Sequence, residues 1–409
     1  MKAIQFNLTI PRYAVGLALR GLAPDILWSG LSCTRLVDVR PPALPGPDWV
    51  RVRTVYGGIC GTDMGTIGLH TSPYYSPFSA FPFTLGHEIV GRIESSGAAA
   101  GGWEKGERVV VDPLLWCAPR GFTEACASCA RGEINRCLRI TEGSLAAGLM
   151  TGTCQDTGGS WSRELVAHHS QLYRIPPAVS DENALLIEPF AVGLHIALAA
   201  WPEDDETVLI IGAGSIGLTT LAALRALGSR ARILVLARYD FQVAAAERLG
   251  ADAVLNTRME DAYEWVSGLT GGLVRRPVIG KRVVSGGAHL TVECVGSDAA
   301  IDDALRLTRD GGRMVLAGLP GIARGVDWTA LFAQELTVIA ARNHTNVEPW
   351  QGRRWKAFDL AIHLMEHGGV DLAWMITHRF RLENYKAALR AAGSRRSTRM
   401  IKGAFAFDG

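Results

Sequence analysis

The apolar positions of this chain fall into two textures. Up to about residue 185 they alternate with polar ones in short runs closed by glycine and proline. Trp49-Val50-Arg51-Val52-Arg53-Thr54-Val55 and Glu107-Arg108-Val109-Val110-Val111-Asp112-Pro113 are examples, and Met1-Lys2-Ala3-Ile4 is a shorter one. Such runs predict strands, so the first part is expected to be largely β. Beyond that point continuous apolar runs take turns with helical stretches. The pattern predicts a helix over 182–200, a strand over 208–211, a helix over 216–227, a strand over 233–236 and a helix over 242–249. Further strands are expected at 253–255, 290–292 and 313–316. Strands alternating with helices imply a parallel, doubly wound sheet, so the fold class is α/β. The texture shifts again near Asn343.

A chain of 409 residues is long for one core and comfortable for two domains. Apolar residues at 48% and charged ones at 20% are ordinary for a soluble globular protein. The net charge of +2 gives no electrostatic reason for a nucleic acid or an anionic membrane as partner. The opening residues do not read as a charged leader, and Arg20, Pro24 and Asp25 interrupt the apolar stretch 13–31 well short of a spanning helix. A cytoplasmic enzyme is therefore expected. In that setting eight cysteines point to metal or catalysis before disulfides.

Gly212-Ala213-Gly214-Ser215-Ile216-Gly217 follows a predicted strand and opens a predicted helix. In that context a GxGxxG run is a dinucleotide signature. The first glycine makes the turn, the second admits the pyrophosphate, the third lets helix and strand pack closely, and the helix N-terminus meets the phosphate charge. NAD sites usually place an acidic residue at the tip of the next strand. Here that strand ends in Ala237-Arg238, with Asp240 two positions further and expected to cap the next helix. An arginine suits a 2′-phosphate, which favours NADP over NAD.

Cys126, Cys129 and Cys137, with Cys117 upstream, have the spacing of a closed four-thiolate zinc site; Cys154 is the alternative to Cys117. Gly57-Gly58-Ile59-Cys60-Gly61-Thr62-Asp63 and Gly86-His87-Glu88 add a soft thiolate and an imidazole. With a carboxylate these make the three-ligand open site of catalytic zinc.

Taken in order, these motifs and the later Glu293-Cys294-Val295-Gly296 and Gly311-Gly312-Arg313 resemble the zinc-dependent medium-chain dehydrogenase/reductase (alcohol dehydrogenase) superfamily. The resemblance runs from about residue 33 to the C-terminus. It implies a GroES-like catalytic domain split in two, residues 1–187 and 345–409, around a Rossmann nucleotide-binding domain at 188–344. Leu186-Ile187-Glu188-Pro189 resembles the sorbitol, threonine and glucose dehydrogenase branch, in which glutamate replaces a ligand cysteine. The resemblance thus makes Glu188 the third ligand of a zinc on Cys60 and His87, directly or through water. Glu88 would sit beside the metal, able to exchange onto it, and Asp63 would orient His87. It also implies two zinc ions per chain and a homo-oligomer, dimer or tetramer.

The reaction implied is reversible hydride transfer between an alcohol or polyol and C4 of the nicotinamide, with zinc as Lewis acid and Thr62 taking the hydroxyl proton. Many relatives have a histidine where this chain has Gly65, and His70 is a candidate substitute. Tyr74, Tyr75, Phe78, Phe81 and Phe83, with Leu114-Leu115-Trp116, suggest an apolar substrate, whereas the glutamate-type metal set suggests polyols or sugars. The competing class is a nucleotide-binding or structural protein that keeps the fold without turnover. Residues 10–31, longer than the usual first hairpin, could cap the cleft or meet a subunit partner. Residues 273–288 read as a solvated basic loop.

Overall fold

Trp49–Ile59 is the long strand on which the first unit is built. Its alternation sends Val50 and Val52 into a core with Ile89, Ile93, Val109, Val111 and Leu165. Arg51 lies on the other face, where it pairs with Glu164 at 3.2 Å. Ile376–Phe380, Lys402–Ala406, Trp49–Ile59, Ile89–Ser96, Arg108–Val111 and Leu172–Arg174 lie side by side in that order, and Glu164–His168 also pairs with the long strand. Lys402–Ala406 runs antiparallel to Trp49–Ile59 with Gly403 opposite Ile59, a register that carries Lys402 next to Cys60. A second, three-stranded sheet joins Thr34–Asp38, Lys2–Phe6 and Phe83–Thr84.

The computed structural model describes residues 1–407, which divide into two compact units. Residues up to Glu188, Thr345–Val347 and the chain from Phe358 onward form the first; Pro189–His344 and Glu348–Ala357 form the second. The return after residue 344 is therefore interrupted. The hairpin Glu348–Trp350/Arg353–Trp355 stays with the second unit, where the Glu348 carboxylate meets His195 Nδ1 at 2.8 Å.

In the second unit Ala253–Asn256, Arg232–Ala237, Thr207–Ile211, Ala288–Glu293, Thr308–Leu316 and Thr337–Ala340 form one parallel sheet in that order. The order switches direction between Thr207–Ile211 and Ala288–Glu293, the place where doubly wound sheets bind ligands at the carboxyl ends of their strands.

Two local expectations change, those for 182–200 and 273–288. The helix expected over 182–200 is two helices, Asp181–Leu185 and Ile187–Ala199. The chain tightens at Leu186, whose N–H bonds back to Ala184 and Asn183, and restarts just before Pro189, which has no N–H to give. Residues 10–31 form the helix Ile10–Leu19 and the turn Pro24–Trp28, docked on their own unit. Arg20 donates to the carbonyls of Gly68 and Leu69, and the Tyr385 hydroxyl donates to that of Trp28. The basic stretch 273–288 is a hairpin, Leu273–Arg275/Val283–Ser285, and three of its charges are paired: Arg276 with Glu264, Arg282 with Asp261, and Lys281 with Asp302 and Asp303.

Candidate active site

Cys60 is the N-cap of the helix Gly61–Ile67, and its backbone N–H donates to Asp63 Oδ2 at 3.1 Å. The other oxygen of Asp63 lies 3.2 Å from His87 Nδ1. One buried carboxylate thus orients two candidate metal donors and leaves His87 Nε2 free for a cation. Glu88 completes the cluster: one donor atom each from Cys60, His87 and Glu88 lie within 4.8 Å of one another. Glu188, expected as the third ligand, is buried at the start of its helix but stands outside this set.

The carboxylate of Glu88 is clamped in place. A Cβ on residue 58 would lie 1.8 Å from Glu88 Oε2, so only glycine at that point of the strand lets the side chain cross it. Glu88 Oε1 accepts a hydrogen bond from the ammonium of Lys402, both side chains being 1% exposed. Glu88 Oε2 is buried with no hydrogen-bond partner among the described residues. An orphan carboxylate oxygen beside a sulfur and an imidazole is a donor set suited to a borderline cation such as zinc. Burial opposes charge on His87, yet Asp63 and the Cys60 sulfur outweigh it and raise its pKa well above the ordinary histidine value. Burial likewise opposes charge on Lys402, and Glu88, Cys60 and Glu188 reverse it, so the ammonium titrates above the usual lysine range.

Sequence reasoning missed Lys402. Its one signal is a lone charge in the apolar run Met400-Ile401-Lys402-Gly403-Ala404-Phe405. The Thr62 hydroxyl stands 3.7 Å from Cys60 Sγ, and the Thr62 N–H reaches that sulfur at 3.5 Å. His70 is exposed and lies 3.5 Å from a nitrogen of Arg20. Partial desolvation by its neighbours and the Arg20 charge depress its pKa.

The cysteine lobe brings donor atoms of Cys117, Cys126, Cys129 and Cys137 within 4.8 Å of one another. Cys154 is not among them; it is buried, and its sulfur faces the Ala146 carbonyl at 3.5 Å. Cys117→Ser is accordingly expected to cost one zinc equivalent and lower the melting temperature by several degrees or more, roughly the shift of a 1–2 kcal/mol loss. Cys154→Ser should keep the full metal content. Metal analysis with a thermal scan checks both, and the reverse pattern would return Cys154 to the lobe's ligand set.

In the second unit the glycine turn follows Thr207–Ile211 and opens the helix Ser215–Ala226. Gly212 has φ +100°, and a Cβ on Gly217 would sit 1.9 Å from the Gly212 carbonyl oxygen. Gly214 is the helix N-cap, which puts Ser215 and Ile216 in the first turn, the part of a helix suited to receive a phosphate charge. Ala237 ends the next strand, buried, and Arg238 follows it, exposed. Asp240 is not the cap of the helix Asp240–Arg248: Tyr239 holds that position, and Asp240 accepts from Asn256 at 2.6 Å.

A phosphate-ready doubly wound unit carried with a β unit that gathers sulfur, imidazole and carboxylate defines a metal-assisted dehydrogenase. Residues 46–177 match the alcohol dehydrogenase GroES-like domain family and residues 215–366 the zinc-binding dehydrogenase family, together more than two thirds of the chain. L-idonate 5-dehydrogenase from Vitis vinifera is 29% identical over 350 residues, 85% of either chain. Sorbitol dehydrogenase from Bacillus subtilis (strain 168) is 27% identical over 367 residues, 87% of this chain and 90% of that one. Among solved structures, an oxidoreductase/dehydrogenase of unknown specificity from Escherichia coli has the same fold, with TM-score 0.75 over 100% of both chains at 24% identity. The chain belongs to the zinc-dependent medium-chain dehydrogenase/reductase (alcohol dehydrogenase) superfamily. It is an oxidoreductase whose cofactors are zinc and a nicotinamide nucleotide and whose substrate is a small-molecule alcohol or its carbonyl partner. Among the described residues no helix is long and apolar enough to cross a membrane.

Proposed function

We propose that this oxidoreductase interconverts a polyol and its keto form with NADP, using a catalytic zinc on Cys60, His87 and a carboxylate, and a structural zinc on the cysteine lobe. The observation that carries the reading is the Cys60–His87–Glu88 cluster with its unpartnered Glu88 oxygen. A zinc there would act as a Lewis acid toward the substrate oxygen and ease loss of the hydroxyl proton. Asp63 fixes the ligand geometry, Thr62 accepts a hydrogen bond from the substrate hydroxyl and hands its own proton on to water as that proton arrives, and Lys402 balances the anionic ligands.

The apolar side chains that suggested a hydrophobic substrate support the polyol reading once placed. Phe83 in the core and Phe81 at its edge pack on Phe6 with tilted rings, and Leu114 and Trp116 pack with the cysteine lobe. Tyr74 is 71% exposed, and its ring partners among the described residues are its neighbours Tyr75 and Phe78. The relatives named for idonate and sorbitol point the same way.

For the cofactor, the exposed Arg238 at the strand tip and the engagement of Asp240 with Asn256 support NADP. Arg238→Ala is expected to raise KM for NADP about 10- to 100-fold, the worth of a charge-assisted phosphate contact, and to leave NAD nearly unchanged. Steady-state kinetics with both cofactors tests this, and equal losses would reject the choice. A homo-oligomer fits the outer edge strand Thr337–Ala340 and the neighbouring Phe332, which is 86% exposed.

A further inference from the structure

Glu293 ends the strand next to Thr207–Ile211 and is fully buried, yet no cation among the described residues pairs with it. Its carboxylate instead collects backbone donors. Oε1 accepts from Val295 N–H at 2.7 Å and from Gly296 N–H at 2.9 Å, and Oε2 lies 3.1 Å from Gly296 N. Its own carbonyl accepts from Ala317 N–H at 2.9 Å and Gly318 N–H at 2.8 Å. One residue therefore gathers the loops that leave two adjacent strands. Gly318 is part of the arrangement, since a Cβ there would meet Gly296 N at 2.2 Å and Glu293 Oε2 at 2.6 Å.

The gathered loop has a definite position. Val295 Cγ2 would be 2.5 Å from a Cβ on Gly212, so Val295 lies against the first glycine of the nucleotide turn while remaining 53% exposed. Burial pushes the Glu293 carboxyl above its usual range, and the N–H groups of Gly296 and Val295 offset this only in part. A buried charge without a counter-ion is a cost that hydrophobic packing alone would avoid. The side chain here holds two loops at the carboxyl ends of the strands in return.

The sheet order says which part of the cofactor those loops meet. The strand tip at Ala237-Arg238 serves the adenosine side, and Glu293 lies across the switch point on the other mononucleotide half. We propose that Glu293 is a positioning residue for the nicotinamide half of the cofactor, holding Val295 and Gly296 over the nucleotide turn. This rests on the nicotinamide-dehydrogenase reading of the chain.

The test is the affinity of the zinc-loaded enzyme for NADPH and for 2′-phospho-ADP-ribose, which keeps the adenosine and diphosphate but has no nicotinamide. Glu293→Ala should weaken NADPH binding by ~10-fold or more and leave the fragment within about 2-fold, because only loop-donated contacts are lost. Glu293→Gln keeps one acceptor oxygen in the same shape and should fall between, so the question stays decidable if the alanine variant does not fold. A merely structural role would weaken both ligands together. Equal losses, or unchanged NADPH binding in a folded variant, would overturn the proposal. Failure of the wild type to bind either ligand would overturn the NADP choice and move the same comparison to NADH and ADP-ribose, where equal losses or unchanged NADH binding would overturn the proposal.

Discussion

Cys60→Ala is expected to leave a folded protein that has lost one of two zinc ions and on the order of 10³-fold or more of its turnover, the several kcal/mol that a Lewis acid contributes. Folding should survive because the sulfur is a helix cap, and an alanine at such a position costs about 0.5–2 kcal/mol. The metal should not survive: with the thiolate gone, His87 and Glu88 are the two donors left of the cluster. Metal analysis beside initial rates reads both effects from one preparation. Full activity with both ions retained would sink the assignment of this cluster as the catalytic centre.

Lys402→Met should be strongly destabilising. Removing one partner of a buried pair leaves the other charge without compensation, at a cost of about 3–5 kcal/mol. The Glu88 carboxylate would then have no hydrogen-bond partner on either oxygen among the described residues. Adding Glu88→Gln in the same chain removes the stranded charge, so the double variant should regain much of the lost stability without regaining turnover. Thermal unfolding of the single and double variants, with zinc content alongside, separates the two effects. An unchanged melting temperature in Lys402→Met would mean that the pair contributes little to the fold.

The parts of this molecule legible in its sequence are those whose chemistry is local. The nucleotide turn needs three glycines between a strand and a helix, and all lie within six residues. The cysteine lobe draws its donors from 21 consecutive residues, Cys117 to Cys137. What escaped depends on contacts that sequence distance hides. Glu88 and Lys402 are 314 positions apart and meet only because the C-terminal strand pairs with Trp49–Ile59. Which of Glu88 and Glu188 faces Cys60 is a matter of side-chain direction, and hydrophobic periodicity carries no information on it. The aromatic run 74–83 is open for a related reason: an aromatic beside a metal motif can turn toward a cleft or toward the core, and Phe81 and Phe83 pack on the core. Asp240 has the residue type of a helix cap, yet the register placed Tyr239 there and gave Asp240 to Asn256.

The most direct measurement is the rate of NADPH formation from a panel of polyols, in protein of known zinc content, before and after removal of the metal by a chelator. The expected result is turnover with NADP exceeding that with NAD, abolished with the loss of zinc and restored by adding it back. Zinc-replete protein that turns over no polyol with either cofactor, or whose turnover survives complete loss of the metal, would contradict a zinc-dependent polyol dehydrogenase built around Cys60, His87 and Glu88.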